Sequence, residues 1–183
     1  MRVFLVAGTR PNFTKIAPIC RESSKHDQVC CKIVHTEQHY DYELSEAFFE
    51  DLGLPRPDFF LSAGSGTHAV QTGKIMVRFE RLCQDEEPDL VVVVGDVNTM
   101  LACSIVAKKL LIEVAHAEAG LRSFDPSMPE EINRLIADAI SDFLFVTEQG
   151  GKTNLLREGI PEEKIFFAAK GVTPGYWLID TDS

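Results

Sequence analysis

The chain has 183 residues, 45% hydrophobic and 25% charged, with a formal net charge of −10 at pH 7 and a pI near 4.9. This is the make-up of a globular chain with one good core, and its acidity excludes an electrostatic footprint for nucleic acid or adhesion to an anionic membrane. An anionic small ligand would need a local cluster of Arg and Lys inside that negative field.

Short β-branched runs alternate with longer helical patterns, which predicts βαβ units and a parallel sheet. The first strand is expected at Val3 to Ala7, followed by Gly8-Thr9-Arg10-Pro11-Asn12-Phe13-Thr14-Lys15. A helix over Pro11 to Ser24 opens there, with Pro11 at a first helical position where its missing N–H costs nothing. A single glycine is not GxGxxG, so the dinucleotide fingerprint is absent. Two readings of this turn stand: a helix N-terminus with Arg10 and Lys15 suited to a phosphate or pyrophosphate, or a plain turn with solvated cations. A strand at Val29 to His35 leads into Thr36-Glu37-Gln38-His39, where His39 is either structural or functional. Further helices are expected over Tyr42 to Leu52, with Asp41 as N-cap and Gly53 as stop, and over Thr67 to Gln84.

Leu90 to Val94 is apolar on both faces, as a central strand covered by helices requires. Gly95-Asp96 follows at once. Asp96 either caps the helix predicted over Thr99 to Leu110 or serves chemistry, since packing does not explain a charge beside an apolar core. The strand at Ile112 to His116 runs into Ala117-Glu118-Ala119-Gly120-Leu121-Arg122. Glu118 is expected as a near neighbour of Asp96, with Arg122 as a partner for either. Pro129 opens a helix to Ala139, with Glu130 and Glu131 in the first turn where the helix dipole favours carboxylates. Glu130 and Arg134 stand at i and i+4, an ion pair or surface decoration. A strand at Phe143 to Thr147, a helix over Gly150 to Glu158 and a weaker strand at Ile165 to Ala168 complete the pattern. Gly171, Pro174 and Gly175 then punctuate a tail that ends without a further helix.

These elements make one α/β unit over residues 1–168, a Rossmann-like doubly wound parallel sheet, with a divergent tail over 169–183. In the order 3-2-1-4-5-6, ligands bind past the carboxyl ends of the strands where the order reverses. Arg10 and Lys15 on one side of that point and Asp96 and Glu118 on the other are expected to gather at a single edge. Clustered carboxylates raise one another's pKa, which yields acids and bases that work near neutral pH.

Cys20, Cys30, Cys31, Cys83 and Cys103 form no CxxC pair and no Cys/His grouping of zinc spacing. No metal is therefore expected, and the thiols read as small buried residues of a reducing compartment. The apolar start is broken at Gly8, too early for a signal-peptide core, and no stretch approaches the roughly 20 apolar residues of a membrane span. The expected location is the cytoplasm.

Several of these stretches, in order from Met1 to about Ala168, resemble the UDP-N-acetylglucosamine 2-epimerases of the non-hydrolysing type. They are Gly8-Thr9-Arg10-Pro11 with Lys15, Gln38-His39-Tyr40-Asp41, Gly64-Ser65-Gly66-Thr67, Gly95-Asp96, His116 through Ser123, and Pro129-Glu130-Glu131-Ile132-Asn133-Arg134. The resemblance implies the amino-terminal half of a two-domain glycosyltransferase-B architecture. It implies an isomerase that interconverts UDP-N-acetylglucosamine and UDP-N-acetylmannosamine by elimination of UDP and re-addition, with no cofactor, and a place in cell-surface polysaccharide biosynthesis. Asp96, Glu118 and Glu130 would be the catalytic acids, and Arg10, Lys15, Gln38, His39, Arg122 and Arg134 the substrate-binding positions. The implied partners are UDP-N-acetylglucosamine or UDP and either a homodimer mate or a second Rossmann-like domain, with no nucleic acid and no membrane. That second domain supplies a catalytic histidine and most uridine and phosphate contacts in the family. Where the family passes into it through Gly-Asn and then Ile-Asp, this chain reads Ala169-Lys170-Gly171-Val172-Thr173-Pro174 and on to Ile179-Asp180. The carboxy-terminal nucleotide-binding domain is thus expected to be absent, and the chain alone to have little activity. The alternatives are a hydrolysing 2-epimerase, a glycosyltransferase fragment and a non-catalytic partner of a full-length epimerase.

Overall fold

The computed structural model describes residues 1–36, 49, 52–170 and 177–179, the last three and 169–170 by backbone alone. The expected helix over Tyr42 to Leu52, its cap Asp41, and Gln38 and His39 lie outside these residues, apart from Phe49 and Leu52.

Among the described residues eight strands form one sheet, in the order β3-β2-β1-β4-β5-β6-β7-β8. They are β1 (Arg2–Ala7), β2 (Cys30–His35), β3 (Phe59–Phe60), β4 (Leu90–Val94), β5 (Glu113–Ala117), β6 (Phe143–Val146), β7 (Ile165–Lys170) and β8 (Trp177–Ile179). The first seven run parallel. Five described helices connect them: α1 (Arg10–Ser23), α2 (His68–Glu86), α3 (Asn98–Lys109), α4 (Pro129–Ile140) and α5 (Gln149–Arg157). Strand order reverses between β1 and β4, as the doubly wound expectation requires.

Two strands were not foreseen. Phe59–Phe60 is too short for a period-2 signal and follows Pro55 and Pro57; its position depends on Asp58, which accepts from the Ile33 N–H (2.8 Å) and the Lys32 ammonium (2.8 Å). Trp177–Ile179 lies in the tail and pairs antiparallel with Ala168–Lys170, so the tail continues the sheet.

The four consecutive valines of β4 are buried because both faces are covered. Val91 and Val93 join Phe4, Val6, Val34 and Val114 beneath α2 and α3, against Ile75, Phe79, Met100, Cys103 and Val106. Val92 and Val94 join Val3, Leu5, Ala7 and Ile33 beneath Phe13, Ile16 and Ala17 of α1. Each fully buried side chain of this size contributes about 1.5–3 kcal/mol, so the centre of the sheet is a firm base for the turns at its carboxyl edge. Cys83 and Cys103 are buried and Cys20 and Cys31 half-buried in these layers; Cys30, expected inside, is exposed at the first residue of β2. Among the described residues no helix is long and apolar enough to cross a membrane.

Candidate functional site at the carboxyl edge of the sheet

The turn after β1 is organised by Asn12. Its Oδ1 accepts from the N–H groups of Gly8 (3.1 Å) and Thr9 (2.9 Å), and its Nδ2 donates to the Val94 carbonyl at the end of β4 (3.4 Å). One buried amide thus joins the two strands that flank the switch point. Gly8 is required by proximity: a Cβ there would lie 2.2 Å from Thr99 Oγ1. Thr99 in turn bonds Thr36 (2.8 Å), so the exits of β1 and β2 and the start of α3 are packed as one unit.

The Val94↔Ala117 register makes Gly95 and Glu118 the first residues past two adjacent strands. Lys15, one turn into α1, donates from Nζ to Glu118 Oε2, and Nζ lies 3.4 Å from where a Cβ of Gly95 would be. Glu118 adopts φ +67°, a left-handed conformation that costs a non-glycine residue on the order of 1–3 kcal/mol and concentrates at functional sites. Asp96 does not cap α3, whose N-cap is Val97. Its Oδ2 accepts from Arg134 Nη1 (2.5 Å) and its carbonyl from Asn133 Nδ2 (2.8 Å). Arg10 is exposed at the first residue of α1.

Arg134 was expected to pair with Glu130. It pairs with Asp96 and with Glu131, whose Oε2 accepts from Nη2 at 2.6 Å. Glu131 also accepts from the N–H groups of Ser123 and Phe124 (3.0 Å each). Burial pushes its carboxyl up, but these donors outweigh it and hold the pKa at about 2. Glu130 is half-buried in the first turn of α4 and has no ion pair among the described residues. It shares a helical face with Asn133 and Arg134, and that face looks onto Asp96.

Arg122 departs from expectation. It meets neither Asp96 nor Glu118: its guanidinium, 1% exposed, bridges Asp138 (2.7 Å) and Glu158 (2.6 Å). Asp138 accepts from the Gly120 N–H (3.0 Å) and lies 2.6 Å from Nδ1 of His116, whose Nε2 is 3.0 Å from the Gly95 carbonyl. Asn12, His116, Glu131, Asn133 and Asp138 were not singled out from the sequence. No local pattern in the sequence pairs His116 with Asp138, twenty-two residues on.

The edge therefore carries two cation–carboxylate pairs side by side, Lys15–Glu118 and Arg134–Asp96, with Glu130 one turn before Arg134 on α4. No group of three or more metal-ligating side chains occurs among the described residues. An open cavity at the opposite edge, lined by Met1, Arg2, Cys30, Glu87 and Asp89, is made of strand-entry groups bonded to one another; Arg2 bonds Asp89 through its N–H and Glu86 through its side chain.

The sequence matches the family described as UDP-N-acetylglucosamine 2-epimerase over residues 21–169. It is 52% identical to the UDP-N-acetylglucosamine 2-epimerase of Methanocaldococcus jannaschii over 166 residues, 91% of this chain and 45% of that protein. A crystal structure of the M. jannaschii enzyme in complex with UDP-GlcNAc and UDP superposes with a TM-score of 0.86 at 50% identity, over 92% of this chain and 46% of the other. The lipopolysaccharide outer core galactosyltransferase WaaB, 15% identical, shares the fold alone, with a TM-score of 0.63 over 94% of this chain and 46% of that one. The α/β sheet is thus half of a glycosyltransferase-B arrangement, and the chain spans about half the length of the relatives it matches. By profile and by relatives, the chain belongs to the UDP-N-acetylglucosamine 2-epimerase family.

Proposed function

We propose that this chain forms the acid-bearing wall of a UDP-N-acetylglucosamine 2-epimerase site, converting UDP-GlcNAc to UDP-ManNAc by elimination of UDP and re-addition. The observation that carries the reading is the adjacency of the Lys15–Glu118 and Arg134–Asp96 pairs at the switch point. The C2 proton of the sugar is not next to a carbonyl, so direct deprotonation is very unfavourable. Cleavage of the C1–O bond sends the electron pair to UDP and leaves C1 cation-like. Loss of the C2 proton to a carboxylate then gives 2-acetamidoglucal. Re-addition of UDP at C1, with a proton delivered to the other face of C2, completes the inversion. Proton transfer on both faces needs more than one acid, a role for Asp96, Glu118 and Glu130. Lys15, Arg10 and the N-terminal N–H groups of α1 are the groups suited to a leaving pyrophosphate. Gln38 and His39 stay as proposed substrate contacts. Arg122 acts through Asp138 and does not touch the ligand.

A cleft site loses orientation and water exclusion when one wall is missing. These 183 residues, assayed by themselves, are therefore proposed to turn over slowly, and faster beside a second Rossmann-like half or a second copy. The outward residues Ile132, Leu135 and Ile136 of α4, 38–49% exposed, offer such a partner an apolar strip. The test is incubation with UDP-GlcNAc in deuterated buffer, following C2 by NMR alongside a two-domain relative. Expected is deuterium at C2 at a rate lower by about two orders of magnitude or more, abolished by Asp96→Asn. Accumulation of free UDP and N-acetylmannosamine would replace this reading with hydrolysis. Absence of UDP-GlcNAc binding would end it.

A further inference from the structure

We infer that His116 is a positioning residue carried with a proton on both ring nitrogens, its two N–H groups clamping the Gly95 carbonyl and Asp138 so that the backbones bearing Asp96 and Glu118 keep one relative placement. The inference rests on the proposed role of those two acids, but its own signature can be read without any ligand.

Together with the Arg122 charge beside Asp138, the hydrogen-bond partners point to one assignment. A carbonyl only accepts, so Nε2, 3.0 Å from the Gly95 oxygen, carries a hydrogen. Asp138 Oδ2 receives two donors, Arg122 Nη2 (2.7 Å) and the Gly120 N–H (3.0 Å), the first a cation whose field favours the ionised carboxylate. Burial pushes the Asp138 carboxyl up, but the His116 ring and the Arg122 guanidinium more than offset it and hold the group below the usual range. An ionised Asp138 offers only lone pairs at Oδ1, so Nδ1, 2.6 Å away, must donate as well. The ring is 0% exposed.

Among the described residues, the charges joined to this ring form one chain. Asp138 comes from α4, and Arg122 and then Glu158 lie behind it, so the chain of groups runs positive, negative, positive, negative and is neutral in sum. The cross-strand neighbours of His116 are Val93 and Leu144, both apolar. A balanced buried chain of this kind survives only when every member is satisfied. Its reach is what makes it a clamp. Gly95 immediately precedes Asp96, and Asp138 fixes Gly120 just beyond Glu118, the residue held at φ +67°. Loss of either ring proton would set lone pair against lone pair at one of the two contacts.

The test is a histidine 15N–1H spectrum of the labelled chain at about pH 7.5, above the ordinary histidine range near 6.5. One of the five histidines is expected to show directly bonded hydrogens on both nitrogens. A spectrum in which every ring carries a single hydrogen overturns the inference, whether or not any variant folds. In Asp138→Asn the doubly protonated signature should disappear and the amide signals of Asp96 and Glu118 should move. Unmoved amides with an altered ring would refute the clamp. A UDP-GlcNAc titration of the unmodified chain separates the two proposals: absent binding with an intact ring signature counts against the epimerase reading alone.

Discussion

Glu130 and Glu131 are chemically identical neighbours in the first turn of α4, yet only Glu131 is enclosed, with its side chain 4% exposed. The turn of about 100° between adjacent helical residues sends the two side chains apart, and Glu131 is tucked under the Ser123–Phe124 backbone. Depression of the Glu131 carboxyl from 4.5 to about 2 corresponds to on the order of 3 kcal/mol of stability. Because the folded pKa lies below the unfolded one, this contribution is complete above about pH 5 and is lost as pH falls toward 2. Glu131→Gln should therefore unfold with roughly 3 kcal/mol less resistance to urea at neutral pH, and the gap should close as the medium is acidified from about pH 5. Asp138, also depressed, is common to both proteins and cancels. A gap that stays constant down to about pH 2.5 would mean that the Glu131 charge is not what the Ser123–Phe124 turn depends on. The two glutamates could be located from the sequence, but which one is enclosed is decided by a loop seven and eight residues upstream.

At the scale of elements, the same pattern recurs. Each described strand and helix with a long apolar period was legible within a residue or two of its ends: Leu90–Val94 agreed at both ends, while β5 was shifted by one residue to Glu113–Ala117. What escaped was contact between elements remote in the chain. The turn after β5 is one such contact, since it is built against the start of α5. A Cβ on Gly120, at φ +77°, would come within 2.4 Å of the Gly151 carbonyl oxygen and 2.8 Å of its Cα. Asn154 Nδ2 closes the other side by donating to the Gly120 carbonyl (2.9 Å). Gly53, at φ +62°, has nothing within 4 Å of the same virtual atom. Gly53→Ala should thus cost only the backbone term, about 1 kcal/mol, and Gly120→Ala that term plus overpacking against main chain, about 3 kcal/mol. Equilibrium urea unfolding of the two variants measures the difference. Equal losses would show that α5 yields freely and that the β5 turn is not braced by it.

For the whole molecule, the sequence was most informative about where charge gathers and least about which charges neutralise each other. Arg10, Lys15, Asp96 and Glu118 were placed at one edge by the βαβ alternation alone, whereas Arg122, equally close in sequence to Glu118, is drawn inward by Asp138, sixteen residues on in α4. The buried thiols allow the stability of that whole arrangement to be followed in one measurement. Burial pushes the Cys83 thiol up to about 12 and the Cys103 thiol well above its ordinary value, so neither presents thiolate at neutral pH and both are closed to solvent. Cys30 is exposed. A thiol reagent should modify Cys30 rapidly, and Cys83 and Cys103 only as fast as the molecule opens globally. If the chain binds UDP-GlcNAc as proposed, ligand at about ten times its Kd should slow labelling of Cys103 by about tenfold, because opening must then compete with binding to the folded form alone. Cys30, at the amino end of β2 and away from the acid edge, should react at an unchanged rate. Mass spectrometry of the labelled chain distinguishes the sites. Labelling of Cys103 at the Cys30 rate would refute the closed core, and a Cys103 rate indifferent to UDP-GlcNAc would refute binding by this half of the fold while leaving the core intact.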